Sequence, residues 1–106
     1  MVEISKSDWK LYRSKLPDWQ EAYMEKLIKE YSELLSQEGK ASEKFWKLND
    51  RIKEDRKKSG VIVEIRKSEM LFQILQLLHD GAITMEDLSD FSEDLQDTVK
   101  HFTNRK

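Results

Sequence analysis

Met70-Leu71-Phe72-Gln73-Ile74-Leu75-Gln76-Leu77-Leu78 decides the fold class, because only Gln73 and Gln76 in it are polar. Wound as a helix, the stretch places the two glutamines three apart on one narrow strip, and apolar side chains cover the rest of the cylinder. A helix apolar nearly all round has to be buried on most of its circumference. Its large side chains, on leaving water, contribute on the order of 10–20 kcal/mol before conformational entropy is counted. The expectation is an all-α fold: a four- to five-helix bundle around a central buried helix at about residues 69–79, with each other helix turning one apolar face towards it.

Composition supports this. A chain of 106 residues suits a single domain, 1–106, with a core that needs no covalent or metal staple. Charged and hydrophobic residues each make up 38%, with three glycines and one proline, a balance that favours amphipathic helices over sheets. Cysteine is absent, which excludes disulfides, thiolate zinc sites and cysteine nucleophiles and suits a reducing compartment. No apolar run reaches signal-peptide or membrane-span length, so the expectation is a cytoplasmic protein without membrane contact.

Working outward from the central stretch, Ser68 is the expected cap on one side and Asp80-Gly81 the stop on the other. Before it, Ser59-Gly60 breaks the chain and residues 61–65, Val-Ile-Val-Glu-Ile, form the one strand-like run. A lone strand leaves backbone groups unpaired. Its two candidate partners are the short segment 82–84, making a minimal β element, and the same run from a second copy about a two-fold axis. After it, Thr84 with Asp87 opens a last helical region carrying Leu88, Phe91, Leu95, Val99 and Phe102, with a break expected near Ser89 or Ser92; residues 103–106 are expected to fray.

At the N-terminal end, Ser5 or Ser7 caps a first helix with Trp9, Tyr12 and Leu16 on one face. Pro17 is expected to end that helix and start a second, whose core stripe is Trp19, Tyr23, Leu27, Tyr31 and Leu34, widened by Met24, Ile28 and Leu35. Gly39 stops the second helix. Ser42 caps a third, with Phe45, Leu48 and Ile52 inward and Trp46 at its flank, ending in the solvated run 53–58.

Net charge is −2, but residues 40–67 are basic and 68–99 carry acids with no Lys or Arg. The expectation is that these halves face one another or form two solvated faces. The basic tract Lys53, Arg56, Lys57, Lys58, Arg66 and Lys67 is a candidate nucleic-acid contact, since clustered cations neutralise phosphates. The interleaved acids and the pI of 5.7 count against it.

Residues 80–88, Asp-Gly-Ala-Ile-Thr-Met-Glu-Asp-Leu, resemble the second half of an EF-hand calcium loop. With Gly81 on the family's glycine, two ligand positions fall on Gln76 and Leu78, and Asp87 stands where glutamate is usual. The resemblance therefore implies a helix stop, an extended step and a new cap, and no metal. More broadly, Trp9-x-x-Tyr12, Leu16-Pro17-x-Trp19-Gln20-Glu21-Ala22-Tyr23-Met24-Glu25 and Asp80-Gly81-x-Ile83-Thr84-x-x-Asp87-Leu88 are similar to small helical bacterial proteins with no assigned activity. That resemblance implies a helical fold and nothing about chemistry.

His79 and His101 lack ligand-spaced partners, and the acids of the last helix read as its wet face, so catalysis and cofactor binding are not expected. The aromatic content of the N-terminal helices exceeds what a small core requires. Trp9, Tyr12, Trp19 and Trp46, with Val61 and Val63 of the strand-like run, are the candidate partner-binding residues. The functional expectation is a non-enzymatic protein-interaction or assembly module, with a homodimer as one form; a small nucleic-acid-contacting regulator is the alternative.

Overall fold

The structure is a computed structural model that describes residues 4–103. It is all-α, with four helices: α1 (Lys6–Ser36), α2 (Ala41–Asp55), α3 (Met70–His79) and α4 (Glu93–Thr103). Short 3₁₀ turns at Lys67–Glu69 and Met85–Leu88 precede α3 and α4. Of the expected fraying segment 103–106, Thr103 closes α4, and the rest lies outside the described residues.

Helix α1, not α3, is the organising rod. Its 31 residues cover about 46 Å at 1.5 Å per residue, nearly the whole 52 Å length of the molecule. Ser5 caps it as expected, its side chain accepting from the Asp8 N–H at 3.1 Å. Pro17 does not end it, contrary to expectation. The reason lies in the apolar stripe: Tyr12, Leu16, Trp19, Tyr23 and Leu27 are all buried and remain in phase across the proline, which itself is exposed. Burial on both sides outweighs the missing backbone bond, an interior defect that costs about 3 kcal/mol. Pro17→Ala is accordingly expected to stabilise the chain by about 1–3 kcal/mol, read as a higher urea midpoint at unchanged slope.

Around the N-terminal half of α1 lies one core. Tyr12, Leu16 and Trp19 meet Met70, Ile74 and Leu77 of α3, Ile83, Leu88 and Phe91 of the connection, and Leu95 and Val99 of α4. Helix α3 is thus buried on one face, with Leu71, Leu75 and Leu78 half-buried; Phe72 is 65% exposed, and the expected all-round enclosure is not found. The helix has only ten residues and α1 and α4 pack on one side of it, so its far side stays wet. Gln73, predicted on the polar strip, accepts a hydrogen bond from the buried Tyr12 hydroxyl.

The expected strand does not form: among the described residues there is no strand. The N–H groups of Val61 and Ile62 donate to the Lys58 carbonyl, and the Glu64 carbonyl accepts from Gln73 Nε2 at 2.7 Å. Residues 82–84 are committed elsewhere. Ala82 N–H donates to Leu77 O and Gly81 N–H to Leu78 O, the paired bonds of a Schellman stop that uses the positive φ of 77° at Gly81. Thr84 and Asp87 then form a reciprocal capping box. Ser68 is no cap either; it lies inside the 3₁₀ turn, and the helix proper starts at Met70.

Helix α4 is fastened to α1 by a buried carboxylate. Asp8, 5% exposed, accepts from the Ser92 N–H (2.9 Å) and the Ser92 hydroxyl (2.6 Å), while that hydroxyl accepts from Leu95 N–H as the cap of α4. Lys15 pairs with Asp90 at 3.2 Å beside it. Asp90 therefore finds its cation on α1, whereas Glu69, at the start of the acidic half, stands 3.9 Å from Arg66 of the basic tract.

Candidate protein-docking surface

Beyond Trp19, α1 leaves the core and forms an antiparallel hairpin with α2. The turn at Ser59-Gly60 joins the two regions. Gln20 Nε2 donates to the Ser59 carbonyl at 3.0 Å, and the Ser59 N–H and hydroxyl donate to Asp80 Oδ2 at 3.0 and 2.7 Å. Gly60 lies directly against the Tyr23 ring. Burial alone would raise the Asp80 pKa, but the bonds from Ser59 and Gln76, with Lys58 nearby, outweigh it and hold the carboxyl below its ordinary 3.8. A depressed carboxylate stabilises the fold above its unfolded pKa, and the contribution is lost as pH falls through the folded value. Asp80→Asn is expected to lower the melting temperature at neutral pH and to narrow the gap from wild type below about pH 4, measured as melting temperature against pH.

The hairpin has two unlike sides. On one, Arg51 bonds Glu30 at 2.8 Å above a polar cleft lined by Glu33, Gln37, Lys44 and Lys47. Between the helices, buried Asp55 accepts from the Tyr31 hydroxyl at 2.6 Å, Arg51 Nε stands 3.5 Å from the same oxygen, and the Arg51 guanidinium lies over the Tyr31 ring. Burial, then the bond to Asp55 and its charge, push the Tyr31 pKa up to about 12. The Tyr31 phenol therefore stays neutral across the physiological range.

The other side is apolar. Met24, Leu27, Ile28, Tyr31, Ile52 and Val61, together with Asp55 and Arg56, line an open groove of about 200 Å³. Ile28 is 59% exposed, and Leu35, seven residues on, 43%; Phe45 is 63% exposed and Ile52, seven residues on, 38%. Phe45 and Ile52 were expected to point inward. Leu48 keeps its expected inward direction, and Lys44, Arg51 and Asp55 share it in place of the other two. The Ser42 cap is likewise absent: α2 starts at Ala41 after Lys40, without a side-chain cap.

Of the candidate partner-binding residues, Tyr12 and Trp19 are core, Trp9 is half-buried beneath the Arg13 guanidinium, and Val61 and Val63 are half-buried. Only Trp46, 60% exposed and edge-on to Phe45 at 5.0 Å, lies on the hairpin surface with a large free area. The residues that complete the face, Ile28, Leu35, Phe45 and Ile52, were absorbed into the core by the sequence reading. The signal that separates them is spacing: Met24, Ile28, Tyr31 and Leu35 form their own 4-3-4 stripe beside the buried one.

The basic tract is not brought together as one unopposed patch. Lys57 is paired with Glu54, and Arg66 with Glu64 and Glu69; Lys53 and Arg56 are exposed along α2 and its end, Lys58 is half-buried, and Lys67 opens the turn before α3. Among the described residues, no three His, Asp or Glu side chains converge on a point that could hold a metal ion. Among these residues, too, no helix is long and apolar enough to cross a membrane. Comparison with protein-family models, with curated proteins and with solved structures finds no match for this chain.

Proposed function

We propose that the chain is a non-enzymatic protein-interaction module of the cytoplasm that docks a helical partner on the apolar side of its α1–α2 hairpin. One observation carries the reading: Ile28, Leu35, Phe45, Trp46 and Ile52, five of the nine large hydrophobic residues left exposed among the described residues, belong to these two helices. Scattered exposed apolar side chains need no explanation, whereas a row at heptad spacing is the pattern an amphipathic helix docks on. Among the described residues, the polar cleft on the opposite side holds no buried side-chain nitrogen or oxygen without a hydrogen-bond partner.

The test is a photo-crosslinking amino acid placed singly at Phe45, at Ile28 and, as a control, at exposed Glu86, in cells of the native host. Adducts of discrete mass from the first two positions and none from the third support the reading. No adduct at any position, or equal labelling at all three, overturns it. Retention on heparin at low salt that is lost on substituting Lys53, Arg56 and Lys57 with glutamate would favour the nucleic-acid regulator instead.

A further inference from the structure

We infer that the partner of the hairpin face is a second copy of this chain, and that two hairpins pair into an antiparallel four-helix bundle. This rests on the docking reading above and names its occupant.

Two features make the face self-complementary. The first is area. The exposed parts of the five apolar side chains amount to about 500 Å² on one copy, so two copies supply the ~1,000 Å² that a specific interface requires, and both halves are stripes of the same spacing. Half-buried Asn49 lies in the α2 stripe four residues after Phe45 and three before Ile52, the place where a single polar residue fixes the register of a helical seam.

The second feature is charge. Outside the α1 stripe the exposed flank carries Glu21 and Glu25, whereas the exposed flank of α2 carries Lys53, with Arg56 just beyond. Hairpins related by a two-fold axis parallel to the helices lay α1 of one copy on α2 of the other, every neighbour antiparallel, and bring each acidic flank onto a basic one. An axis across the helices would stack α1 on α1 and oppose the glutamates to one another. The charges therefore select the first arrangement, with Glu25 of one copy nearest Arg56 of the other, since the axis keeps the heights set by the Glu30–Arg51 and Tyr23–Gly60 contacts.

Sedimentation equilibrium of the full chain, from about 5 to 300 µM, tests this. Wild type is expected to shift from monomer to dimer across that range. Ile28→Glu and Phe45→Glu, both at exposed positions, are expected to weaken association at least 100-fold with unchanged circular dichroism. Glu25→Lys should weaken it less, and Glu25→Lys with Arg56→Glu in the same chain should restore it. Wild type remaining monomeric at the top concentration overturns the inference. So does a dimer indifferent to the first two variants but lost on Phe72→Glu, which would place the contact on α3. If the chain stays monomeric while Phe45 and Ile28 still crosslink to a different protein, self-pairing fails and the docking reading survives.

Discussion

Gly60→Ala is expected to lower stability by about 3 kcal/mol, a fall of roughly 15 °C in melting temperature for a domain of this size. The reason is proximity alone, since Gly60 does not have a positive φ. A Cβ built at this position would stand 2.5 Å from Tyr23 Cγ and 2.9 Å from Cε2, with Cδ2 between them. These atoms include the root of the ring, which a change of rotamer moves least, and Tyr23 is only 8% exposed. Either the Ser59-Gly60 turn lifts, breaking the bonds to Gln20 and Asp80, or the ring is expelled. Removing the atoms that the Cβ meets relieves the clash, so Tyr23→Ala in the Gly60→Ala background should cost less than the sum of the two single changes. Additive losses in that double-mutant cycle would show that Gly60 acts otherwise.

The second large effect is expected at Asp8. Asp8→Ala should cost about 2 kcal/mol, because it leaves the Ser92 N–H without its acceptor in a part-buried site and loosens the hydroxyl that caps α4. Asp8→Asn keeps one acceptor oxygen and should cost about half as much. Chemical denaturation reads both. Equal losses for the two variants would mean that volume or charge, and not the paired hydrogen bonds, is what α4 depends on.

Sequence patterns revealed the class of this fold more fully than its layout. The cap at Ser5, the stop at Gly81, the Thr84 and Asp87 box and the break before α4 were legible because each is a local device whose chemistry lies within a few residues. Pro17 misled because local steric preference argues for a break, while the evidence against one, an apolar stripe in phase from Tyr12 to Leu27, extends over sixteen positions. Residues 61–65 have a strand's composition, but a strand depends on a partner, and the segment 82–84 was already committed to ending one helix and starting the next. Phe72 shows a different limit. Hydrophobicity counts what a helix could bury, and only the number of neighbours determines what it does bury. The exposed apolar face of the hairpin was missed for the related reason that Phe45 and Ile52 look like core residues until α2 is seen to have one neighbour instead of several.

Because a single helix runs from a three-sided core into a two-helix hairpin, its own amides should report two very different opening energies. Those near Tyr12 and Leu16 are expected to exchange with deuterium only through complete unfolding, whereas those beyond Tyr31, covered by α2 alone, should exchange sooner by separation of the hairpin. Two residues of the same rod, less than 30 Å apart by helical rise, would thus mark where cooperative structure gives way to a segment that is firm only when something lies across it.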